Sequence, residues 1–85
     1  MDVDKLNSGF YLITTERPDP FSLSRDTKVV RTDFVTIEKS RKNTNVTVEH
    51  DIGGGFGCSL AEYKERLRLC KANIVKIESD SFVLI

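Results

Sequence analysis

Between Asn45 and Cys70 the apolar residues change their spacing. In "NVTVEHDI" Val46, Val48, His50 and Ile52 stand two apart. In "SLAEYKERLRLC" Leu60, Tyr63, Leu67 and Cys70 stand three or four apart. A period of two builds a half-buried strand, and the longer period builds a helix with a single apolar stripe. The switch falls on "GGGFG" (Gly53–Gly57). The chain must therefore leave a sheet, turn within a few residues, and lay a helix back on that sheet.

The remaining segments fit this frame. "GFYLITTE" (Gly9–Glu16) is aromatic and β-branched. Phe10, Leu12 and Thr14 face one way and Tyr11, Ile13 and Thr15 the other, as in an interior strand. Residues 17–27, "RPDPFSLSRDT", read as a long loop because Pro18 and Pro20 fix φ and remove two donors, with Phe21 and Leu23 folded onto the core. "KVVRTDFVTIEKS" is extended and pairs with "NVTVEHDI" in a hairpin whose tip is Ser40–Asn45. Asn73 suits a left-handed helix stop. "IVKIESDSFVLI" closes the chain as two short strands around Ser79-Asp80, and residues 1–8 are a frayed start or one helical turn. The expected fold is α+β. One domain, residues 1–85, carries a largely antiparallel sheet of about five strands with one helix, residues 59–72, on one face. A β-grasp-like ββαββ arrangement from residue 33 onward is one option.

Size and charge bound the function. A domain of 85 residues buries only roughly 60–65% of its unfolded surface, which leaves little room for a deep pocket. Thirteen basic residues balance thirteen acidic ones, so no whole-molecule attraction to nucleic acid or an anionic membrane is expected. Apolar runs fall far short of the ~20 residues that span a bilayer, and no signal peptide is evident, so a cytoplasmic protein is expected. Cys58 and Cys70 flank one helix, about 18 Å apart at ~1.5 Å per residue, and should be free thiols in a reducing compartment. Without a secretion signal the sequon Asn45-Val46-Thr47 is idle.

The glycine run admits four readings. As an anion cradle at a helix start it lacks the Lys-Ser/Thr of a P-loop and the G-x-G-x-x-G spacing. As the platform for a nucleophile, Cys58 would need His50, the only histidine. But Ser59 and Glu62 form a capping box, which puts Cys58 at the position that packs against Tyr63 in a hydrophobic staple. As a contact surface, Phe56 would stand exposed as an anchor for a partner. The leading reading is a turn, with glycine supplying positive φ and close backbone approach.

No catalytic constellation is apparent. One histidine and two distant cysteines make no zinc site, and nothing calls for a cofactor. The reading is thus a non-enzymatic inhibitor or adaptor that binds another protein through Phe56, Arg41, Lys42 and Arg66. The alternative is an RNA-binding regulator using a basic patch of Lys39, Arg41, Lys42, Arg66 and Arg68. A cysteine-dependent enzyme ranks third. The apolar end, "SFVLI", completes the core as a strand, or adds to a partner's sheet or to a second copy in a homodimer.

Overall fold

A computed structural model describes residues 3–19, 21, 27–51 and 53–79. It contains a 3-10 turn at Val3–Lys5, strands β1 (Gly9–Pro18), β2 (Lys28–Lys39), β3 (Thr44–His50) and β4 (Gly55–Ser59), helix α1 (Leu60–Leu69) and strand β5 (Asn73–Ser79). The strands form one sheet in the order β4-β3-β2-β1-β5, with every pairing antiparallel. The α+β architecture with one helix on a five-stranded antiparallel sheet is as the sequence led us to expect. From residue 33 onward, however, the described order is β-β-β-α-β rather than ββαββ. The glycine run contributes a strand of its own, and β5 crosses to the far side of β1.

Alternation fixes which residues are buried. Ile13 and Thr15 of β1, Val35 and Ile37 of β2, and Val46 and Val48 of β3 point to one face and are almost fully buried. Their register stacks them across neighbouring strands, with Tyr11 opposite Val35 and Ile37 opposite Val46. Tyr63 of α1 and Val3 of the 3-10 turn close this core, with Leu60, Leu67, Ile74 and Ile77 around it. The start of the chain is not frayed over the described residues. Val3 is buried, Lys64 Nζ meets Asp4 Oδ2 at 2.6 Å, and the Ser8 hydroxyl accepts from the Lys39 backbone N–H at 2.8 Å.

The loop between β1 and β2 is shorter than expected, because Arg17 and Pro18 belong to β1 and Pro18 pairs with Lys28. Phe21 does not fold onto the core; it is 95% exposed. The Asp19 carboxylate accepts from the Phe21 backbone N–H at 2.9 Å and holds this stretch in an Asx turn beyond the strand ends. Leu23, Ile52 and the strand expected at residues 81–85 lie outside the described residues.

The glycines divide into two roles. Gly53 (φ 97°) and Gly54 (φ 81°) make the turn, closed by His50 N–H to Gly54 O (2.9 Å) and Gly53 N–H to His50 O (3.0 Å). From Gly55 the chain is strand, paired with β3 from Glu49↔Gly55 to Asn45↔Ser59. A side chain at Gly55 would press into the carbonyl oxygen of Val48, whereas one at Gly57 would meet open space.

Ser59 caps α1: its hydroxyl accepts from the Glu62 N–H at 3.2 Å, and Glu62 answers by accepting from that same hydroxyl. At the other end Asn73 is not the stop, because its backbone is committed to pairing with Glu16. The left-handed residue is Lys71 (φ 54°). Ala72 N–H bonds Leu67 O (2.8 Å) and Lys71 N–H bonds Arg68 O (3.1 Å), which is a Schellman closure.

Two substitutions check this account by urea unfolding. Gly55→Ala should cost about 2 kcal/mol or more while Gly57→Ala stays within about 0.5 kcal/mol of wild type, since only the first forces atoms together. Lys71→Gly should stabilise by about 0.5–1 kcal/mol by relieving a non-glycine left-handed residue.

Candidate functional site

Helix α1 contacts β3 and β4. Where the helix ends, the core face of the sheet continues and carries polar side chains. Arg17 of β1, Arg31 and Asp33 of β2, and His50 of β3 sit there because they keep the parity of Ile13, Val35 and Val48. With Phe56, Tyr63, Arg66, Leu67 and Cys70 they line a cavity of about 180 Å³. A second hollow of about 450 Å³ continues past Arg17, Arg31 and Cys70 toward Val29 and Phe21.

At the cavity floor His50 Nδ1 lies 2.9 Å from Asp33 Oδ1. A carboxylate only accepts, so Nδ1 is the donor in this bond. Asp33 is 7% exposed and has this one ring as its side-chain hydrogen-bond partner among the described residues. Arg17 Nη2 donates to the buried Thr15 hydroxyl at 3.0 Å, while its Nε is buried with no acceptor among the described residues. The Arg66 guanidinium lies over the Phe56 ring, 4.1 Å from its centre, and that ring tilts against His50 at 5.9 Å. Tyr63 is pushed up to about 12, by burial first and the Asp33 carboxylate second, with Arg17 partly offsetting them. Its hydroxyl is therefore a proton donor at any neutral pH.

The residues singled out in the sequence are not gathered in one place. Phe56 is in β4 and does not stand exposed; it is half-buried under Arg66. Arg41 and Lys42 are exposed at the β2–β3 tip. The tip precedes Thr44, and Arg66 shares the cavity with His50. The six steps of β3 between these ends span about 20 Å, which holds Arg41 and Lys42 apart from Arg66. Lys39 Nζ, by contrast, donates to the Asp4 carbonyl oxygen at 3.4 Å, and Asp4 meets Lys64, which shares a hollow with Arg68. Arg68 is engaged by Glu65, whose carboxyl it holds below the ordinary carboxylate range.

Cys58 and His50 share a face but do not meet. Cys58 is opposite Val46, four residues from His50 and so about 13 Å away along the strand. The sulfur packs beside the core that contains Tyr63. Burial pushes the thiol up, the Glu62 carboxylate adds to this, and Arg66 offsets part of it. Cys70 is exposed at the helix end, and both cysteines are free. Among the described residues no three His, Cys, Asp or Glu are placed to hold a metal ion, and no helix is long and apolar enough to cross a membrane.

The opposite face of the sheet is a second surface. Phe10 (44% exposed), Val30 (62%) and Phe34 (49%) stand on it with Leu12 between them. Thr14, Thr32, Thr36 and Thr47 surround them, and the Thr14 and Thr32 hydroxyls bond at 3.0 Å. Among the described residues nothing covers this face.

The chain was compared with protein-family models, curated proteins and solved structures, and none matches. The arginine cavity escaped sequence reading because its members come from three elements. The available signal was parity: Arg17 and Arg31 occupy core-facing positions of strands that also bury Ile13 and Val35.

For Cys58 in a Cys70→Ser background, iodoacetamide should react more slowly at neutral pH than with glutathione. The raised pKa leaves less thiolate there, so the midpoint of the pH–rate curve should lie above that of the free thiol. Faster reaction than glutathione at pH 7 contradicts the packing role.

Proposed function

We propose that this is a small cytoplasmic binding protein without chemistry of its own, which acts as an inhibitor or adaptor by docking on another protein. The observation that carries this reading is the bare sheet face. Phe10, Leu12 and Phe34 form a connected apolar surface on β1 and β2, with Val30 standing apart beyond the Thr14–Thr32 pair, and soluble domains keep such patches for partners.

Charge favours protein over RNA as the occupant. The residues of this face include Glu16, Glu38, Glu49 and Glu78 against Lys28 and Lys76. Lys28 is paired with Glu16 at 3.4 Å and Lys76 with Glu78. A net negative surface repels a phosphate backbone. It suits a protein with an apolar centre and a basic margin, whose charges steer the approach while the phenylalanines supply affinity. Arg41 and Lys42, exposed at the hairpin tip, remain available for acidic residues at the margin of that contact.

The test is quantitative co-purification from a host lysate with wild type, a Phe10→Ser/Phe34→Ser variant and an Arg41→Ala/Lys42→Ala variant, each shown by thermal melt to be folded. Loss of each anchoring phenylalanine should weaken the partner's binding by about tenfold or more, and loss of the tip bases should weaken it less. Equal recovery of every partner by wild type and the phenylalanine variant overturns the assignment of this face.

A further inference from the structure

The cavity at the end of α1 is independent of the bare face. Three guanidiniums, from Arg17, Arg31 and Arg66, border one space of about 180 Å³. By liquid volume that is room for about six waters. None of the three is in an ion pair with a carboxylate among the described residues; Asp33, the one acid lining the cavity, has His50 as its hydrogen-bond partner. Arg17 Nε is buried with no acceptor among the described residues. Like charges converging on a half-enclosed space repel one another, so the arrangement is stabilised by an anion seated among them.

From these contacts we infer that the cavity is a binding site for a phosphate monoester carrying a small apolar or aromatic group. Three arginines against one aspartate leave an excess of positive charge in the cavity lining, which a dianion matches. The three guanidiniums come from β1, β2 and α1 rather than from one side. That geometry offers one arginine to each of three tetrahedral oxygens, whereas a planar carboxylate is satisfied by a single bidentate arginine. The Tyr63 hydroxyl is a further donor. Val48, Phe56 and Leu67 form the apolar wall for the ester's carbon arm. Asp33, as the His50 acceptor, holds the ring in place.

The test is amide NMR titration of the full chain at about 0.1 M salt, which screens loose ion attraction. The probes are phenyl phosphate, inorganic phosphate and benzoate. The proteins are wild type, Arg31→Met, Arg66→Met and a tip control, Arg41→Met. Phenyl phosphate is expected to give saturable shifts at Val48, Phe56, Tyr63 and Leu67 and to bind more tightly than the other two probes. Its affinity should fall about tenfold or more in Arg31→Met and Arg66→Met and stay unchanged in Arg41→Met. Arg66 is exposed, so that variant keeps the test valid even if Arg31→Met unfolds. The inference is overturned by no saturable shift up to about 10 mM, which is far weaker than any useful affinity. It is equally overturned by benzoate or inorganic phosphate binding as well as phenyl phosphate, or by shifts that survive in Arg66→Met.

Discussion

One ten-residue helix is laid on a five-stranded sheet, and the two do not match in size. The helix is about 15 Å long and 10 Å wide. The sheet is about 19 Å across its strands, and its longest strand runs about 40 Å. The helix therefore protects Val46, Val48 and their neighbours on β3 and β4 and leaves the rest of that face to other groups. The 3-10 turn brings Val3 to one end. At the other end the sheet stays partly open, and charged side chains replace apolar ones at core-facing positions. The opposite face receives no cover from the described residues. Both candidate surfaces are thus consequences of this disproportion.

The open end is built so that its polar groups are tolerated. Thr15, nearly inaccessible, accepts from Arg17, and Asp33 accepts from His50. Phe56 contacts both the His50 ring and the Arg66 guanidinium, the latter as a cation–π pair. These contacts hold the arginine stems in place without neutralising them. Lys28, Lys64, Arg68 and Lys76 are in ion pairs. Of the described cations without a carboxylate partner, Arg17 and Arg31 stand apart in being partly buried, where Lys5, Lys39, Arg41, Lys42 and Lys71 are exposed.

Local physics made much of this legible in the sequence. The alternation in Phe10–Thr15 and Val46–His50 placed the strands and their buried sides. The Ser59–Glu62 cap and the Leu60/Tyr63/Leu67 stripe placed the helix and its inward face. What stayed hidden depends on contacts between distant segments. Gly55–Ser59 is too rich in glycine to read as a strand, yet Gly55 is needed because β3 approaches its Cα closely. Lys71, a residue with no preference for left-handed φ, takes that conformation because Asn73 is drawn into β5. Arg17 was read as the start of a loop, and only the ten-pair ladder between β1 and β2 reveals that it points into the core side. The arginine cavity needs strand order, register and helix direction at once, and no window of sequence contains all three.

The strand order has a consequence for synthesis. The first four strands are sequence neighbours in a meander, but the outer neighbour of β1 is β5, so Tyr11 finds its partner at Ser79. As the chain emerges from a ribosome, β1 to β4 can zip together while the outer edge of β1 keeps its N–H and C=O groups unpaired. That edge closes only after α1 has docked and the final strand has threaded alongside. Until then the nascent protein presents an open seam beside Phe10 and Leu12, the interval in which it is most exposed to mispairing with a neighbouring chain.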